Sequence, residues 1–124
     1  MCKILMPINP EYVEEILSGR KKYEYRKIKA KRKNVDKMII YSTSPIMKVV
    51  AEVVIKNIIE ESPETLWEMT KHKSGISKDF YNSYYKDRET AVAYELGEIK
   101  KYDIPKSLNE IGIDYVPQSF IYLD

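Results

Sequence analysis

Gly19-Arg20-Lys21-Lys22-Tyr23-Glu24-Tyr25-Arg26 compresses a helix stop and a strand start into eight residues. Gly19 suits the left-handed conformation that ends helices. The residues after it alternate: Lys21, Tyr23 and Tyr25 share one face, and Lys22, Glu24 and Arg26 share the other. A strand over Lys21 to Lys27 with one charged face is the expectation. Upstream, Asn9 can cap a helix whose first position is Pro10 and whose first turns carry Glu11, Glu14 and Glu15. Tyr12, Val13, Ile16 and Leu17 form its apolar stripe. Before it, Lys3 to Ile8 is a short apolar run typical of a buried strand.

Downstream, Lys29 to Asn34 reads as a polar loop, Asp36 to Thr43 as a strand ending in Ser44-Pro45, and Lys48 to Ile59 as a long central strand rich in β-branched residues. Ser62-Pro63-Glu64 starts a helix reaching about His72. Ser77 caps a second, Lys78 to Lys86, with Phe80, Tyr81, Tyr84 and Tyr85 at helical spacing. From Glu89 or Thr90 another strand continues past Gly97, bent or bulged, towards Tyr102. A helical turn near Lys106 to Ile111 and a closing strand, Gln118 to Leu123 after Pro117, complete the order. About six strands with helices between them, without strict alternation, give an α+β domain built on a small mixed barrel. The 124 residues suit a single domain, 1–124, and 44% hydrophobic with 32% charged residues supports a packed core.

Apolar runs such as Lys37 to Ile40 and Val49 to Ile55 fall far short of the ~20 residues that cross a bilayer, and the N-terminus lacks a secretory pattern, so a cytoplasmic protein with no membrane role is expected. A lone cysteine, Cys2, and a lone histidine, His72, argue against a disulfide or a structural zinc site, and neither a metal nor a cofactor is expected. Net charge is only +2, but between Arg20 and Lys37 there are ten Lys or Arg against two acids, Glu24 and Asp36. Such a run is either a solvated, mobile loop or a nucleic-acid patch. The neighbouring rings of Tyr23 and Tyr25 favour the patch, because nucleic-acid surfaces combine cations for phosphate with rings for bases.

Gly19 to Arg26 contains G-x-K-x-x-E-x-R directly after a helix and opening a strand, and this resembles the signature of the ASCH family within the PUA-like superfamily. The element order, the Tyr41-Ser42-Thr43-Ser44-Pro45 strand end, the helical insert and the Pro117-Gln118-Ser119-Phe120 segment are similar to that family as well, over nearly the whole chain. The resemblance implies a PUA-like β-barrel with a cleft beside the signature strand and first helix, and a role in binding RNA or a nucleotide, with DNA as a further candidate. Lys21 and Arg26 would meet phosphate, and Glu24 would accept from a base amine or fix Arg26. Ser42, Ser44, Gln118 and Ser119 are further candidate lining residues. Strict alternation puts Lys21 opposite Glu24 and Arg26, so one shared pocket requires a bulge or a strand-end position. The competing structural picture is a Glu24–Arg26 ion pair closing the barrel, with Lys21 in solvent.

Relatives in this superfamily that remove acetyl from acetylcytidine carry Thr where Glu24 stands and a separate Glu in the insert. Glu24 supplies no hydroxyl nucleophile, and Lys73-Ser74-Gly75 offers no carboxylate, which argues against that activity. Another base- or RNA-processing hydrolase, an amidohydrolase or ribonuclease with Lys21 and Glu24 as acid and base and Arg26 stabilising phosphate charge, is the alternative. A transcription-related interaction module using the tyrosine-rich insert is a third. Trp67, Tyr81, Tyr84 and Tyr85 are expected to pack the insert, His72 to sit at a helix end, and Cys2 to be unreactive.

Overall fold

The computed structural model describes residues 2–123. The elements run β1 (Cys2–Ile8), α1 (Pro10–Leu17), β2 (Tyr23–Arg26), β3 (Val35–Ser42), β4 (Lys48–Glu61), α2 (Pro63–Thr70), α3 (Lys78–Tyr84), β5 (Ala91–Lys106) and β6 (Ile121–Leu123), with 3-10 turns at Lys71–Lys73 and Asn109–Ile111. Each α-helix starts where a short polar side chain meets an orphan amide. Asn9 Oδ1 accepts from Glu11 N–H at 3.1 Å, Ser62 Oγ from Thr65 N–H at 3.3 Å and Ser77 Oγ from Phe80 N–H at 3.1 Å. Pro10 and Pro63 occupy the first turn, where no donor is needed. Gly19, at φ +84°, turns the chain out of α1 as expected.

The strands form one six-stranded sheet in the order β2-β5-β4-β3-β1-β6. Among the described residues only β1 and β3 pair in parallel, and the crossover between them carries α1 and β2; the other pairs are antiparallel. The α+β class holds, but the expected barrel is not closed by strand pairing. β2 is four residues long and, among the described residues, has a ladder only with β5. Where a closing ladder would run, a side chain bridges instead: Arg26 Nη2 donates to the carbonyl of Pro7 in β1 at 2.6 Å. Proline has no amide to offer β2, which weakens any main-chain closure at that point.

Register shifts along β4 and β5, between Val49 and Ala51, Val53 and Ile55, and Ile55 and Asn57, bend the longest pair of strands. The expected bend at Gly97 thus falls in one continuous strand that reaches Lys106. The helical turn expected from Lys106 shrinks to Asn109–Ile111, and the closing strand to Ile121–Leu123. The main core lies between the sheet and α1, around Ile4, Met6, Ile16, Met38, Val53 and Tyr94. A second core seats the insert: Leu66, Tyr81 and Tyr85 pack on Tyr23, Tyr25 and Ala93. No described helix is long and apolar enough to cross a membrane.

Candidate functional site

β2 begins only at Tyr23, and the two residues before it are fixed by non-ladder bonds. Lys21 N–H donates to Glu15 C=O at 2.9 Å, and Lys22 N–H donates to Lys73 C=O at 2.9 Å. This frees Lys21 from the strand's alternation and brings its ammonium to within 3.9 Å of Glu24 Oε1. The strand-end position that a shared pocket requires is therefore present. Lys21 is not in solvent: it is 3% exposed, and Glu24 is 7% exposed.

The insert builds the other wall. Lys21 Nζ donates to Ser74 C=O at 2.8 Å and lies 4.8 Å and 5.7 Å from the ring centroids of Tyr25 and Tyr12. Its stem crosses Gly75, where an added Cβ would come within 2.4 Å of Lys21 Cβ, and Gly75 sits at φ +67°. Only glycine serves at that position, on both counts. Burial pushes the Lys21 ammonium down from 10.5 to about 8, opposed by the nearby Glu24 carboxylate and reinforced by Arg26.

Glu24 Oε2 accepts from Arg26 Nε at 3.0 Å and lies 2.9 Å from Nη2, the nitrogen that also reaches Pro7. Arg26 thus serves as a brace between β2 and β1 as well as a cation, and the ion pair expected to close the barrel coexists with the cleft. The three signature side chains border a cavity of about 190 Å³, together with Ile8, Asn9, Tyr12, Tyr25, Ile76, Phe80 and Tyr84. Tyr12 and Phe80 lie 5.7 Å apart, and Phe80 and Tyr84 are stacked at 6.3 Å with a 19° interplanar angle. Burial raises the phenols of Tyr12 and Tyr84, so both stay neutral donors at ordinary pH. The result is a small pocket with aromatic walls and a cation–acid–cation floor.

Lys21, Glu24 and Arg26 are brought together; the other candidates lie elsewhere. Ser42 is buried at the end of β3 beside a separate cavity of about 400 Å³ bounded by α1 and Tyr102. Ser44 is exposed in the turn after β3, Gln118 is exposed, and Ser119 is half-buried ahead of β6. None of these four borders the cleft. Tyr81 and Tyr85 are buried, with hydroxyls on the carbonyls of Pro63 and of Arg26 and Val92, and Trp67 packs on Tyr81 at 4.7 Å. His72 meets the ring of Tyr23 edge-on at 5.8 Å, and Cys2 is buried. Tyr23 and Tyr25 are also buried, with Tyr25 Oη 2.7 Å from Thr70 Oγ1, so only Tyr25 shows a face to the cleft. The walls supplied by Tyr12, Ile76, Phe80 and Tyr84 were not foreseen as such. The i, i+4 spacing of Phe80 and Tyr84 marks one face of α3, but nothing local says that this face meets α1.

Comparison with known proteins follows the same outline. The ASCH domain profile matches residues 6–100. The ASCH domain-containing ribonuclease of Zymomonas mobilis is 27% identical over 118 residues, covering 92% of this chain and 79% of the relative. The crystal structure of ASCH from Zymomonas mobilis superposes with a TM-score of 0.89 at 25% identity, covering 98% of this chain and 87% of that one. The ATP synthase subunit alpha of Ureaplasma parvum is 30% identical over 121 residues, and this chain, 97% of it aligned, spans only 15% of that protein's length. With the family profile running from the end of β1 through most of β5 and the signature residues gathered at one cleft, this chain belongs to the ASCH domain family.

Proposed function

We propose that the chain binds RNA by admitting one unpaired nucleotide to the Lys21–Glu24–Arg26 cleft. The observation that carries this is a buried ammonium facing a ring-walled cavity: Lys21 has Ser74 C=O as its one hydrogen-bond acceptor among the described residues, while a lysine has three N–H donors. Aromatic walls suit the π-face of a splayed base, and the bases of a single strand, the usual target of sequence-specific RNA recognition, can be splayed without breaking a duplex. The cavity of about 190 Å³ suits a single base rather than a longer segment. Lys21 then meets a phosphate or a base carbonyl, and Glu24 Oε1, 3.9 Å from Lys21, accepts from a base amine.

A second reading, ribonuclease activity, is supported by two observations: the lowering of Lys21 to about 8 and the ribonuclease among the relatives. A neutral Lys21 amine would take the proton of a ribose 2′-hydroxyl. The oxygen would then bond to the adjacent phosphorus as the bond from phosphorus to the 5′-oxygen breaks, and the 5′-oxygen would take a proton from water while Lys21 keeps the first, giving a 2′,3′-cyclic phosphate and a 5′-hydroxyl. Arg26 would balance the charge developing on phosphorus.

Lys21→Arg separates the two readings. Arginine keeps the charge but does not release its proton near neutrality. Binding of a labelled oligoribonucleotide that survives Lys21→Arg and is lost in Lys21→Met fits a binder without Lys21 chemistry. Cleavage that rises with pH through about 8 and vanishes in Lys21→Arg fits the ribonuclease. RNA affinity unchanged in Lys21→Met would refute the binding reading, and cleavage unchanged in the same variant would refute the ribonuclease.

A further inference from the structure

The basic run after β2 takes only a small part in the cleft, and the structure fixes it in place. The hydroxyl of Tyr94, a fully buried side chain, donates to Ile28 C=O at 3.0 Å and accepts from Ala30 N–H at 2.9 Å. The hydroxyl of Tyr122 accepts from Lys31 N–H at 2.8 Å, and the Arg32 guanidinium lies 4.2 Å from the Tyr122 ring centroid. A loop that merely carried solvated charge would need no such anchors from two strands.

Pinned in this way, the loop forms one wall of a groove of about 860 Å³ whose other wall is β4. Lys27, Lys29, Lys31 and Lys33 line it from the loop and Lys56 from β4, and among the described residues Glu60 is the one acid on its walls. Lys56 sits at the register shift between Ile55 and Asn57, where a bulge re-aims side chains. Its stem lies against Gly97, where an added Cβ would fall 2.8 Å from Lys56 Cγ. Among the described residues, Lys29, Lys31, Lys33 and Lys56 take part in no ion pair. Like charges gathered on a fixed loop repel one another, and that repulsion is relieved by a polyanion. The groove also adjoins the cleft: Lys27 Nζ lies 4.7 Å from the ring centroid of Tyr84, a cleft wall, and Arg26 immediately precedes it in the chain.

We infer that this groove holds the phosphate backbone of the same RNA strand whose unpaired nucleotide occupies the cleft, an inference that rests on the cleft reading. A single strand is the form that fits, because a path leaving a one-base pocket continues along one chain of phosphates. Preorganisation by Tyr94 and Tyr122 spares the complex the cost of ordering the loop.

The test uses the full chain, a uridine dodecamer and a uridine trimer, with Lys21→Met and the triple variant Lys29→Gln, Lys31→Gln, Lys33→Gln. Each phosphate contact on a single strand contributes about 0.7 to the slope of log affinity against log salt. The triple variant is expected to lower the dodecamer slope by about 2 and to cut the dodecamer's advantage over the trimer, with Lys27 and Lys56 retaining part of it, and with trimer affinity unchanged. Wild-type slope and affinity in the triple variant overturn the groove and leave the cleft reading standing. Lys21→Met binding both RNAs like the wild type overturns the cleft reading and, with it, the shared strand. A duplex of equal length bound as tightly, or phosphatidylserine vesicles bound in place of RNA, each sensitive to the triple variant, overturns the assignment to a single strand.

Discussion

Replacing Lys21 by methionine removes a buried cation while keeping most of its stem. In the folded chain the ammonium titrates at about 8 against an ordinary 10.5, because burial withholds water from its charged form. The group is 3% exposed, so solvent screening is small. A gap of that size means that holding the charge costs on the order of 3 kcal/mol when Lys21 is protonated in both states, which is the case below pH 8. Between about 8 and 10.5 the unfolded chain keeps this proton while the folded chain has lost it, so Lys21 makes stability rise with pH across that window. Above it the cost is gone. Methionine removes the cost at all pH values but leaves Ser74 C=O without its donor, a loss of about 1–3 kcal/mol. Near pH 7 the two effects leave Lys21→Met more stable by about 1 kcal/mol. Whatever the Ser74 loss, the difference between variant and wild type falls by about 3 kcal/mol as pH rises to 10.5. Urea unfolding followed by Trp67 fluorescence measures this directly; with a slope near 2 kcal/mol/M, the midpoint difference moves by about 1.5 M. Tyrosine ionisation at the alkaline end acts on both proteins and cancels. A difference that stays flat with pH would refute a desolvated, charged Lys21.

Gly75→Ala forces a left-handed backbone on alanine and drives its Cβ into Lys21 Cβ, so a loss of about 2–3 kcal/mol in urea unfolding is expected together with weakened RNA binding. Arg26→Ala leaves Glu24 buried without its principal partner and frees the Pro7 carbonyl, a loss of about 3–5 kcal/mol read as a lowered melting temperature, whereas Arg26→Lys restores less than half because it lacks the fork. Tyr25→Phe removes one hydroxyl contact from Thr70, which still donates to Leu66 C=O at 2.7 Å; the expected cost is about 1 kcal/mol, measured by chemical denaturation.

The order of elements was legible because its signals are local. Asn9-Pro10, Ser62-Pro63 and Ser77 each fix a helix start, and the alternation of Tyr23 and Tyr25 fixes a buried strand face. The signature trio was legible by resemblance, and its convergence required only that the strand start after Lys22. Closure was less legible, since whether β2 pairs with β1 depends on a proline at position 7 meeting an arginine at position 26. The cleft's far wall was not legible at all. It depends on the insert folding back so that Ser74 and Gly75 lie on Lys21 and Phe80 on Tyr12, contacts across more than fifty residues that no periodicity encodes. The anchoring of the basic loop by Tyr94 and Tyr122 was hidden for the same reason.

The most direct test of the cleft as an RNA site is to follow the ring resonances of Tyr12, Phe80 and Tyr84 by heteronuclear NMR during titration with a short single-stranded RNA. Saturable shifts are expected at these three rings and at the Lys21 side chain, with the buried ring of Tyr94 unmoved. RNA binding that shifts other residues and leaves the three rings and Lys21 in place would contradict it.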